Sequence, residues 1–227
     1  MHDYRFWYFL RHPDSLTYIL DKELDSYKIK GYIKNVAVLL ILTMLLFAIL
    51  DVWGMYTVRF TEIFVSNKQD QYIFARYVSF LGAILMGAVY FAFHYYVVPC
   101  FLSILTDLPY RWIQKVQLYV IVYLLIEKLL TFAIFRIVGF TTLFSPFSSA
   151  AIWTQFVPNS WFLFFMNQLT VATILTITLQ YKFLVQWDVE SKKILLAKII
   201  LLQLLFAAVI ATISISPITQ WALRGLN

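Results

Sequence analysis

NVAVLLILTMLLFAIL, residues 35–50, carries no charged side chain. Its reading decides the fold. A helix needs about 20 mainly apolar residues to cross the hydrocarbon core of a bilayer. This run is the heart of such a segment, Val36–Tyr56. The rest of the chain repeats the pattern, with further apolar segments at Tyr77–Leu102, Val116–Val138, Ser160–Trp187 and Ile194–Ile215. The composition agrees: 62% of the 227 residues are hydrophobic and 13% are charged. Soluble domains hold about 45–50% and about 25% respectively. A chain this apolar cannot cover its surface with polar groups, so its solvent is lipid. The expected fold class is all-α, a polytopic bundle of five transmembrane helices.

The net charge is +6. The basic residues flank the apolar runs, so they mark topology and headgroup contacts, with no nucleic acid as partner. One side collects Arg5, Arg11, Lys22, Lys28, Lys30, Lys34, Arg111, Lys115, Lys182, Lys192 and Lys193. The other collects Arg59, Lys68, Arg76 and Arg224, and the loop from Gly139 to Ser160 has none. The positive-inside rule then predicts a multi-pass cell-membrane protein with its N-terminus cytoplasmic and its C-terminus external. An odd number of spans requires the same. The layout divides into residues 1–35 (cytoplasmic interfacial segment), 36–215 (transmembrane domain) and 216–227 (short external tail). The first apolar run follows a long charged segment and lacks a small-x-small cleavage pattern, so it is expected to be retained.

Within residues 1–35, Leu16, Ile19, Leu20, Leu24 and Tyr27 fall at helical spacing on one face. Acidic residues gather at the start of that stretch and lysines at its end, which suits a helix dipole. The spacing predicts a cytoplasmic amphipathic helix that covers the span ends or docks a partner protein. Cys100 is the single cysteine, so no internal disulfide is possible. His2, His12 and His94 lie far apart, none with a Cys, Asp or Glu at metal-ligand spacing. No H-E-x-x-H, G-x-S-x-G or glycine-rich phosphate loop occurs. The expectation is a protein with no cofactor, no metal and no catalytic residue.

The third span contains LLIEKLL, residues 124–130. Glu127 stands twelve residues past Lys115, about 18 Å along a helix, near the middle of the membrane. Charges at that depth are costly and default to a functional hypothesis. Neighbours on a helix point about 100° apart, so Glu127 and Lys128 do not face each other and each needs its own partner. Gln203, Asn167 and Gln168 fall at matching depth and are candidate members of one polar layer. Such a layer either glues the bundle together, forms a proton or substrate path, or offers a face to another subunit. The predicted spans three to five have no Gly or Pro in their cores, whereas transporters often break spans at such residues. Pro99 is expected to bend the second span.

The segment NQLTVATILTITLQYKFLVQWDVESKKILLAKIILLQLLFAAVIATI, residues 167–213, resembles the last two spans of the Yip1-domain family, joined by a tight cytoplasmic turn. LRHPDSLTYILDKEL, residues 10–24, resembles the region before span one in bacterial members. The Asp-Leu-Tyr-Gly-Pro signature of eukaryotic members is absent. The resemblance implies a non-enzymatic membrane adaptor or scaffold. In bacteria such proteins accompany ABC-type exporters, including systems that protect against toxic peptides; in eukaryotes they act in membrane trafficking. The expected partners are the lipid bilayer and another integral membrane protein or complex, or a second copy. The alternative is a small transporter or channel that uses Glu127 and Lys128.

Overall fold

The computed structural model describes residues 31–55, 69–187 and 191–216. The docking face of Leu16, Ile19, Leu20, Leu24 and Tyr27 lies outside them. The described residues are helical, with one isolated antiparallel bridge, between Ser148 and Thr170. We number the helices in chain order. Helix α1 is Tyr32–Val52 and α2 is Gln69–Ala92. A π-helical turn, Phe93–Val97, joins α2 to α3, Val98–Thr106. Then follow α4 (Tyr110–Val138), α5 (Ala150–Trp153), α6 (Ser160–Gln168), α7 (Val171–Leu184) and α8 (Lys192–Ile215). Among the described residues four units are long and apolar enough to cross a membrane: α1, the continuous α2–α3, α4 and α8.

The expected fourth span, Ser160–Trp187, is not one helix. It is divided into α6 and α7 by Leu169 and Thr170, without a Gly or Pro. The second correction concerns the turn before α4. Asp107 takes a left-handed conformation (φ 56°), and the Ser103 hydroxyl donates to the Leu108 carbonyl. Pro109 then caps α4, so Arg111 and Lys115 stand in its first turns rather than in a loop. Lys115 is buried. Likewise α2 begins at Gln69, so Tyr72, Phe74 and Arg76 are helical.

Two cores hold the bundle. Leu39, Phe91, Tyr95, Leu118 and Ile121 join α1, α2 and α4. Val98, Leu102, Ile113, Leu184, Ile199 and Phe206 join α3, α4, α7 and α8. Outside them the helices keep large apolar side chains open, Leu81 and Leu85 at 66% and Leu201 at 64% exposed. In water such belts would drive aggregation, and in a bilayer they meet lipid. Helix α1 crosses α2 where Gly87 meets backbone: a β carbon there would lie 2.9 Å from the Met44 Cα and 3.1 Å from the Thr43 carbonyl oxygen. Only glycine permits that approach. Near the other end of this pair Arg76 donates to the Asp51 and Val52 carbonyls, and its guanidinium lies 3.9 Å from the buried Asp51 carboxylate, which also accepts from Ser79.

Candidate functional site

The break in α6–α7 begins as a capping motif. Thr170 and Thr173 form a reciprocal box: the Thr170 hydroxyl accepts from the Thr173 N–H at 3.4 Å, and the Thr173 hydroxyl accepts from the Thr170 N–H at 3.3 Å. The Thr173 hydroxyl donates to the Gln168 carbonyl at 2.7 Å. The Val171 N–H reaches across to the Phe147 carbonyl at 3.3 Å. Asn167 turns its side-chain oxygen to the Ser145 N–H at 2.8 Å and the Ser148 hydroxyl at 3.0 Å. Backbone polar groups at membrane depth must be satisfied, or line a cavity. Here the 139–159 connection packs against the break and supplies the missing partners.

The new helix end points at Glu127. The Thr170 hydroxyl donates to Glu127 Oε2 at 2.8 Å, and the Ala172 N–H also bonds this carboxylate. The first turn of a helix carries unsatisfied N–H groups and a partial positive charge, so it suits an anion. The carboxylate of α4 therefore sits at the start of α7. Helix α4 has 29 residues, and Glu127 stands about 26 Å from its beginning.

Lys128 is compensated differently. Its ammonium lies 4.8 Å from the Tyr90 ring centre and 5.2 Å from that of Phe47. Aromatic faces attract cations most strongly where water is scarce. Glu127 and Lys128 thus have separate partners on separate helices, as their angular offset requires. His94 comes from the π turn, its ring 4.6 Å from Tyr90 and 5.4 Å from Phe93. The π turn has a local cause. The Pro99 ring would crowd the Tyr95 carbonyl in an α-helix and has no N–H to give it. The Val98 N–H instead bonds the Phe93 carbonyl, five residues back. Single π turns of this kind recur at functional sites.

These groups enclose a cavity of about 320 Å³. Glu127, Lys128, Asn167, Gln168 and Gln203 all line it. It also gathers the polar side chains of Tyr90, His94, Thr131, Ser145, Thr170, Thr173 and Thr176. The direct bonds differ from the expected layer. Glu127 bonds Thr170 and the start of α7, whereas Gln203 belongs to a glutamine ladder. Its amide donates to Gln180 at 3.2 Å, and Gln180 donates to Gln117 at 3.1 Å, which ties α8 to α7 and α4. The signal for the break was present in the sequence as Thr170-x-x-Thr173 ahead of an apolar run, a helix start rather than a helix interruption.

A half-buried charge pair, split between a helix end and aromatic faces among apolar helices with open apolar sides, marks a membrane protein with a polar cavity between its helices. Among the described residues no group of three His, Cys, Asp or Glu side chains is placed to hold a metal ion. Comparison of the chain with family models, curated proteins and solved structures finds no match.

Proposed function

We propose that this chain is a small carrier or pore-forming protein that admits a polar solute to the cavity around Glu127 and Lys128. One observation carries the reading: two short apolar helices meet at Leu169–Thr170 directly against the Glu127 carboxylate, beside a polar cavity of about 320 Å³. Interhelical glue needs polar side chains but no broken backbone. Interrupted helices whose ends face a midplane site are the common building plan of solute pathways. In this reading α6 and α7 together make a fifth crossing. The protein sits in the cell membrane with its N-terminus cytoplasmic and its C-terminus external, and it works without catalysis. The small number of crossings also favours the accessory role implied by the Yip1-type resemblance. A bundle this size completes a pathway by joining a second copy or a larger transport complex, such as an ABC exporter.

The test is access of water to the cavity. In a Cys100→Ser background, Thr131→Cys and Ala207→Cys line the cavity, and Leu201→Cys faces lipid. In sealed membrane vesicles a charged, water-soluble thiol reagent should modify the first two and spare the third. If both cavity cysteines resist the reagent from either side of the membrane, the pathway reading is wrong and the layer is structural.

A further inference from the structure

Glu127, Lys128, His94 and the Tyr90 phenol line the cavity, and the first two can carry opposite charges. Glu127 is already answered by the Thr170 hydroxyl, the Ala172 N–H and the positive end of α7. Lys128 feels the Glu127 charge only through space, without contact. Among the described residues no carboxylate oxygen lies within 4.0 Å of its ammonium, and it makes no hydrogen bond. The Phe47 and Tyr90 faces hold it in place but accept none of its three N–H groups in the ordinary sense. A second open group also lines the cavity. Thr176 is 3% exposed and its hydroxyl has no partner among the described residues, a costly state for a buried polar atom. The lining also holds the apolar side chains Phe93, Val98, Phe206 and Ile210.

We infer that the cavity takes a small organic monoanion, with its oxyanion end on the Lys128 ammonium and its apolar body against the Phe93 and Phe206 wall. This inference rests on the solute-pathway reading. The sign follows from what remains open. A cationic ligand would have to draw Glu127 away from the α7 cap while meeting Lys128. An oxyanion would meet a lysine with three unused donors. The size follows from the volume, which lies at the lower end of the range for small-molecule sites, about 300–1,000 Å³. The apolar wall favours an organic body over a bare inorganic ion.

Benzoate is a suitable probe, with benzamide as its neutral analogue, benzylammonium as its cationic one and chloride as the inorganic control. In purified full-length protein in detergent, benzoate should raise the unfolding temperature in a saturable way, and the other three should not. Lys128→Arg should keep the effect. Lys128→Met should weaken half-saturation about tenfold or more, the loss expected for one charge-assisted hydrogen bond. A readout that leaves Lys128 intact guards against misfolding of that variant: benzoate should slow thiol modification of Thr131→Cys. The inference is overturned if benzoate has no effect, if chloride or benzamide matches it, or if half-saturation is unchanged in Lys128→Met. Modification of Thr131→Cys without protection by benzoate sinks this inference alone. Absence of any modification sinks the pathway reading instead.

Discussion

Replacing Thr170 by Val removes one hydroxyl with two duties. It is the N-cap of α7, accepting from the Thr173 N–H, and it is the donor to Glu127 at 2.8 Å. Loss of an N-cap side chain costs about 0.5–2 kcal/mol. Hydrogen bonds between membrane helices average about 0.6 kcal/mol and reach about 1.7. This one ends on a carboxylate in a partly buried site, so it belongs near the upper value, and the total is about 2–3 kcal/mol. Thr170→Ser keeps both contacts and should stay within about 0.5 kcal/mol of the parent, the range of neutral substitutions. The two duties separate in a double-mutant cycle with Glu127→Gln, read by denaturant unfolding in mixed micelles. The cap contribution should be the same in either background. The bond to Glu127 should appear as a coupling of about 1–2 kcal/mol. Additivity within about 0.5 kcal/mol, the behaviour of independent sites, would refute the claim that the α7 end and the α4 carboxylate form one unit.

Two other substitutions probe the bundle around the cavity. Gly87→Val places a branched side chain against the Met44 and Thr43 backbone, 2.9 Å and 3.1 Å from its β carbon. It should cost at least about 1–3 kcal/mol, as overpacking does, and reduce folded yield in detergent, whereas Gly82→Val should be tolerated because nothing lies near that position. Gln180→Leu removes the middle of the glutamine ladder and leaves the Gln117 and Gln203 amides unpaired, for a loss of about 1–3 kcal/mol. Wild-type stability in Gln180→Leu would mean that the ladder contributes nothing to holding α4, α7 and α8 together.

Membrane character was legible because it depends on composition, and α1, α4 and α8 follow from apolar runs long enough to span, such as residues 35–50. Helix ends were less legible, since they depend on turns: Pro109 placed the α4 start before Tyr110, ahead of the first strongly apolar stretch. The cavity residues Glu127, Lys128, Asn167, Gln168 and Gln203 could be named from depth alone, because one rise per residue relates sequence to height in the membrane. Depth does not give azimuth, so the sequence could not say which groups touch. It paired Glu127 with amides, whereas the bond goes to Thr170. The break itself was hidden because Gly and Pro were the expected signs of interruption. A threonine pair can stop one helix and start the next when another segment, here the one carrying Phe147 and Ser145, supplies the lost backbone partners. Asp51 was hidden in a different way, since it stands one residue beyond the charge-free run and its partner Arg76 lies across a connection.

The π turn at Phe93–Val97 acts as a phase shift within one long rod. Below it, α2 presents Gly87 to α1; above it, α3 joins the core shared with α4 and α8, while Phe93 and Phe101 hold Phe206 at 5.1 Å and 5.6 Å. One extra residue in a helix turns everything after it by about 100°. Residue number in this stretch therefore matters more than residue identity. Deleting Tyr95, Tyr96 or Val97 would leave no residue for the wider turn, and Pro99 would then press its ring on the carbonyl four residues back, although every apolar side chain of the two helices would still be present.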